Sequence, residues 1–172
     1  SAGGLSFPTA GFYGAFLVRW APAANTLTRF LRVATDGIDV LESVAVVGGD
    51  VCASGFFSGA LTLGSLAVPY AGGTDGLVAC VSASTGAFRW SRALGTSADD
   101  QIHDLDFRAG DTIAFVAVAG AAFSWGSDAI AAPAGVWDLV VGTMSASGAP
   151  GWARVVSTPG DYDFPLGVLV LA

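Results

Sequence analysis

A-G-G-T-D-G-L-V-A-C-V-S-A-S-T-G-A-F-R-W-S-R-A-L-G, residues 71–95, is the stretch around which the chain is organised. It runs on through D-D-Q-I-H-D-L-D-F at Asp99–Phe107 and D-T-I-A-F-V-A-V-A-G at Asp111–Gly120 to W-G-S at Trp125–Ser127. Its parts recur upstream and downstream at a spacing of about 60 residues. A Gly-rich turn before an apolar run stands at Ala10–Val18, Ala71–Ala79 and Ala134–Val141. An aromatic-x-Arg step follows at Phe30–Arg32, Trp90–Arg92 and Trp152–Arg154. An acidic turn then leads into an apolar strand at Thr35–Val47, Thr96–Phe107 and Thr158–Val170. A Gly-Asp turn and strand stand at Gly49–Gly59 and Gly110–Gly120, and each passes to L-G-S or W-G-S.

Each unit holds four runs of strand length, rich in Val, Ile, Phe and Trp and separated by turn residues. No helical period interrupts them. Four short strands per unit predict an all-β chain of β-propeller-type repeats, with four antiparallel strands to a blade. A β-sandwich needs no sixty-residue repeat, and a parallel β-helix repeats every twenty-odd residues.

Composition agrees. The 172 residues suffice for a sizeable core; 53% are hydrophobic and 12% charged. There are 24 glycines, no Lys and one Glu, Glu42. A net charge of −7 disfavours nucleic acid and anionic membranes as partners, because both need a cationic footprint. Without Lys there is no Schiff-base chemistry. The charge-free run Thr112–Ser127 is too short to cross a bilayer. The chain opens at Ser1 without Met or a leader pattern, which reads as a processed or excised piece. Two cysteines, Cys52 and Cys80, fit a reduced core pair or one disulfide.

The order of turn, D-G-L-V-A, S-x-T-G, W-S-R-x-L-G, acidic turn, V-A-V, G-D-V and A-S-G resembles the bacterial SBBP-type β-propeller repeat. The likeness covers nearly the whole chain and speaks to fold far more than to function. Departures stand at the G-G-D and A-G-D turns, Gly48–Asp50 and Ala109–Asp111, and at Arg19 and Cys80 after the apolar run.

That family's strand order implies inner strands near 41–47, 102–108 and 166–172, and second strands near 51–57 and 112–119. It implies third strands near 15–20, 76–82 and 137–144, and outer strands near 27–33, 87–94 and 151–157. The chain then divides into half a blade (1–35), two blades (36–95 and 96–157) and the first strand of another (158–172), an incomplete ring. With the second and third strands antiparallel and Phe57 opposite Asp75, Cys52 faces Cys80, and a disulfide is expected there. It implies an oxidising compartment, extracellular or at the cell surface.

His103 is the one histidine, set among Asp99, Asp100 and Asp104. It has the chemistry of a general base or metal ligand. No nucleophile motif accompanies it and no other repeat carries it, so no catalytic residue is expected. The acidic turns offer oxygens from Asp36, Asp39 and Glu42, from Asp99, Asp100 and Asp104, and from Asp161 and Asp163. Calcium is the one cofactor they suggest, but their spacing is irregular and turn capping accounts for them better.

Trp90 and Trp152 read as packing residues, both mostly buried, with an adjacent Arg over the ring. Trp20, Trp125 and Trp137 are not repeated in every unit and read as surface-contact candidates. The expected role is a non-catalytic scaffold or assembly module, with a carbohydrate-binding propeller as the alternative. The last inner strand, with Leu166, Val168 and Val170, carries no charge to blunt an open edge. It is expected to be covered by the remainder of a longer chain or by another copy, whose Ser1–Tyr13 is the natural donor.

Overall fold

In a computed structural model, residues 13–108, 110–131, 137–156, 160 and 162–171 are described, and all elements among them are strands. β1 (Ala15–Ala21) and β2 (Thr26–Val33) form an antiparallel pair. β3 (Val40–Val47), β4 (Asp50–Phe57), β7 (Asp75–Ser82) and β8 (Phe88–Leu94) form a four-stranded antiparallel sheet in that order, sheet I. A small hairpin, β5 (Leu61–Leu63) and β6 (Leu66–Val68), is inserted between its second and third strands. β9 (Gln101–Arg108), β10 (Thr112–Ala119), β13 (Asp138–Ser145) and β14 (Pro150–Val156) repeat the arrangement as sheet II. Their inserted hairpin is β11 (Phe123–Trp125) and β12 (Asp128–Ile130).

The turn chemistry explains the connections. Ser82–Ala87 and Ser145–Ala149 close by the same bond, from the Ser N–H to the carbonyl at the far side, 2.8 Å in both. Gly86 and Gly148 take positive φ of 71° and 81° there, a conformation that costs Gly nothing. Register follows the expected pairing: Phe57 lies opposite Asp75 and Cys52 opposite Cys80. The two cysteines form a disulfide across β4 and β7.

The units stack face to face. Leu31 and Val33 of β2 and Leu61, Leu63 and Val68 of the first hairpin pack on Phe57, Leu77, Ala79 and Val81 of sheet I. The other face of sheet I, with Cys52, Val78 and Cys80, packs on Ile113, Phe115, Val140, Met144 and Trp125. Every residue of β7 is therefore buried.

Two expectations need correction. Residues 166–171 form no strand. Their backbone is tethered instead by carboxylates of β9: Val168 N–H donates to Asp104 at 2.9 Å and Val170 N–H to Asp106 at 2.8 Å. A strand needs a partner backbone, and none of the described residues supplies one. Trp125 is core, not surface: it is buried against Phe115, and its indole N–H donates to Thr143 O at 2.9 Å.

Candidate functional site

Three of the polar groups singled out in the sequence, Glu42, His103 and Asp104, meet where the first strands of the two sheets touch. Glu42 of β3 lies 2.5 Å from Nδ1 of His103 on β9, and Ser43 donates its hydroxyl to Asp104. Both contacts span 61 residues, one repeat. The second carboxylate oxygen of Asp104 takes Val168 N–H, so Asp104 joins β3, β9 and the segment 163–171. Phe164 packs against His103 in a tilted arrangement with ring centres 4.6 Å apart, and Trp137 lies against both Phe164 and Tyr162.

Chemically this is a histidine held by a carboxylate at one nitrogen. Its Nε2 is buried and meets no hydrogen-bonding partner. Acyl-transfer chemistry needs a hydroxyl or thiol at that nitrogen. Ser43, on the neighbouring strand, is committed to Asp104 instead.

The acidic turns cap the crossings between units. Thr35 N–H donates to Asp39 at 2.6 Å, and Thr96 N–H donates to Asp100 at the same distance. Each Thr hydroxyl then accepts a backbone N–H two residues on, from Gly37 and Ala98, at 3.0 Å. Asp100 also takes Gly120 N–H at 3.0 Å, and Asp99 takes Thr74 N–H at 2.9 Å. Asp99, Asp100 and Asp104 thus serve three separate sets of donors. Among the described residues no three His, Cys, Asp or Glu side chains gather to hold a metal ion. Asp163 sits at the same station as Asp39 and Asp100: each donates its N–H to the chain entering the third strand, at Trp137 O, Tyr13 O and Thr74 O. Asp161 lies outside the described residues.

Two buried carboxylates escaped the sequence reading. Asp75 and Asp138 open the third strands of sheets I and II, and both are fully buried. Their signal was present as D-G-L-V and D-L-V-V, but a turn Asp before an apolar run does not announce burial. Asp75 accepts Ala71 N–H at 2.7 Å, while its other oxygen has no partner. Burial raises its pKa against the lowering effect of the Ala71 and Gly72 N–H groups. Asp100 is pushed up to about 6, first by burial and further by the negative charge of Asp75; its hydrogen bonds oppose the shift.

The tryptophans divide. Trp90 is half-buried and reaches into sheet II, where its indole N–H donates to Ala146 O at 2.9 Å. Its ring lies over Gly148, so close that a Cβ there would fall 2.6 Å from it. Arg92 donates to Gly148 O beside it. Trp152 occupies the matching place on β14: Trp90 lies opposite Cys80, and Trp152 N–H bonds the hydroxyl of Thr143, the residue of β13 that stands where Cys80 does on β7. It was expected to be buried, yet it is 46% exposed, because no third sheet lies over it. Trp20 is exposed on β1 and Trp137 is half-buried.

Shallow grooves complete the surface. One of about 380 Å³ is lined by Leu17, Val18, Arg19, Val44, Val51 and Ala83, between β1 and sheet I. None of the described residues forms a helix long and apolar enough to cross a membrane. No protein-family model matches the chain, and no curated protein matches it.

Proposed function

We propose that this chain is a non-catalytic, extracellular scaffold or assembly module built from β-propeller-type blades, with sheets I and II as two blades and β1–β2 as part of a third. The observation that carries the reading is the repetition of contacts between units. Arg19 on β1 reaches Ala83 O in the third-to-fourth-strand turn of sheet I, and Trp90 on β8 reaches Ala146 O in the same turn of sheet II. Asp104 of β9 accepts from both sides, from the Ser43 hydroxyl on β3 and from Val168 N–H of the following segment. Residues are spent on holding like units together, which is what repeat scaffolds do. The Cys52–Cys80 disulfide supports an oxidising, extracellular setting. His103, held by Glu42 and covered by Phe164, reads as part of this inner-strand fastening. The SBBP-type likeness rests on the sequence landmarks and is part of the same proposal.

A second reading, carbohydrate binding, draws on Trp152, an accessible indole beside Arg154. Aromatic faces of this kind stack on sugar rings. A glycan array separates the two. Scaffold function predicts no glycan signal that Trp152→Ala removes; a saturable, Trp152-dependent signal would replace it with the lectin reading.

A further inference from the structure

Inside the chain each unit is covered by the next in a set way, and the two ends of the stack lack that cover in complementary ways. On β9, Leu105 is buried and Phe107 packs into the core between the sheets, where Val47 and Ala45 of β3 lie. The counterparts of Leu105 and Phe107 on β3 are Val44 and Val46, 61 residues earlier, which are 56% and 66% exposed. Val44 lines the groove beside Leu17 and Val18. Among the described residues, no first strand of a preceding unit covers Val44 or Val46.

At the other end, residues 163–171 stand in the first-strand place beside β9, and Leu166, Leu169 and Leu171 face solvent. Trp152 lacks a turn to grip. The β1–β2 turn has the required form: Asn25 takes a positive φ of 48°, as Gly86 and Gly148 do. Asn25 N–H bonds Pro22 O as Gly148 N–H bonds Ser145 O, which puts Ala23 where Ala146 stands.

We infer that this chain docks head to tail on a second copy of itself, so that residues 163–171 of one copy cover Val44 and Val46 of the other while Trp152 grips its Pro22–Asn25 turn. The occupant is a second copy because the contact continues the interface between sheets I and II, with the same residue stations on both sides. Both surfaces differ, so the contact is heterologous, and closure after two copies gives a ring while failure to close gives a filament. This rests on the scaffold reading and names its partner.

The test is complementation by light scattering. Wild type assembles as concentration rises to about 100 µM, a range that weak specific contacts reach. A tail variant, Trp152→Ala with Leu169→Asp, and a head variant, Val44→Asp with Val46→Asp, each lose assembly by at least about 30-fold in dissociation constant, the scale of an interface hot spot. Both change exposed side chains and leave the strand circular dichroism unchanged. Mixed one to one, the two variants form a heterodimer, because each retains one intact surface. Wild type that assembles while neither variant weakens it would overturn the docking geometry and leave the scaffold reading standing. Wild type that stays monomeric would overturn the proposal, and Trp152-dependent glycan binding by that monomer would take the scaffold reading with it. Variants that fail to complement would show a symmetric contact and also overturn it.

Discussion

β7 and β13 hold the same place in their sheets, yet every residue of β7 is buried while β13 alternates buried and half-buried along its length. The buried set of β13, Asp138, Val140, Gly142 and Met144, faces sheet I; the half-buried set, Leu139, Val141, Thr143 and Ser145, faces away. The two strands have similar sequences and the same pairing. What differs is the neighbour: sheet I lies between two units, and sheet II has a unit on one side. In a stacked repeat a unit's stability therefore depends as much on its neighbours as on its own residues.

The disulfide sharpens the comparison most. Cys52–Cys80 lies on the face of sheet I that meets sheet II, whereas the matching pair in sheet II is Ala114 and Thr143. Its cysteines are 28 residues apart, and removing it with Cys52→Ala and Cys80→Ala should cost about 3–4 kcal/mol in the chain-entropy picture. Urea denaturation of the double variant measures this. A loss under about 1 kcal/mol would mean that neighbouring units hold sheet I without it.

Next comes the pair of tryptophans. Trp90→Ala removes a half-buried ring and its bond to Ala146, and should cost about 2–4 kcal/mol. Trp152→Ala at the matching place should cost less than about 1 kcal/mol in the dilute monomer, as exposed positions do. Equal losses would break the comparison.

A smaller effect comes from the carboxylates at the junction. The charge of Asp75 acts on Asp100 where sheet I meets sheet II; Asp163, at the station of Asp100 one unit on, is half-buried. Both raised pKa values mean that the folded state holds protons more tightly than the unfolded chain. Stability is therefore highest below the unfolded value near 4 and falls as pH rises through the folded value of about 6. Acidifying from pH 7 to 5 should stabilise by roughly 1 kcal/mol, or about 2–4 °C in Tm. Asp75→Asn keeps an acceptor for Ala71 and removes one charge that raises Asp100, so it should weaken that dependence in part, while burial of Asp100 maintains the rest. A Tm that falls on acidification in both proteins would refute this account of the pair.

Much of the architecture was legible in the sequence because local chemistry sets it. Turn glycines, apolar runs and the repeat placed the long strands of both sheets within a residue or two, and the second-to-third-strand register brought Cys52 to Cys80. What depends on distant chain was not legible. Trp90 and Trp152 share a sequence context, and only the presence of the Ser145–Ala149 turn over one of them separates their burial. Leu166–Leu171 has the composition of a strand, but a strand forms only against a partner, and Asp104 and Asp106 hold its N–H groups instead. The Glu42–His103 contact joins residues a full repeat apart, so no local motif contains it. Asp75 looked like any turn Asp until packing closed over it.

Hydrogen exchange of β8 against β14 tests the central claim most directly, because both are outer strands paired on one side and they differ in what covers them. In solution dilute enough to keep the chain monomeric, the paired amides of β8 should exchange at least about 100-fold more slowly than those of β14, since local opening tracks local cover. Equal protection of the two strands would contradict the claim that neighbouring units, rather than the strands' own sequences, set their stability.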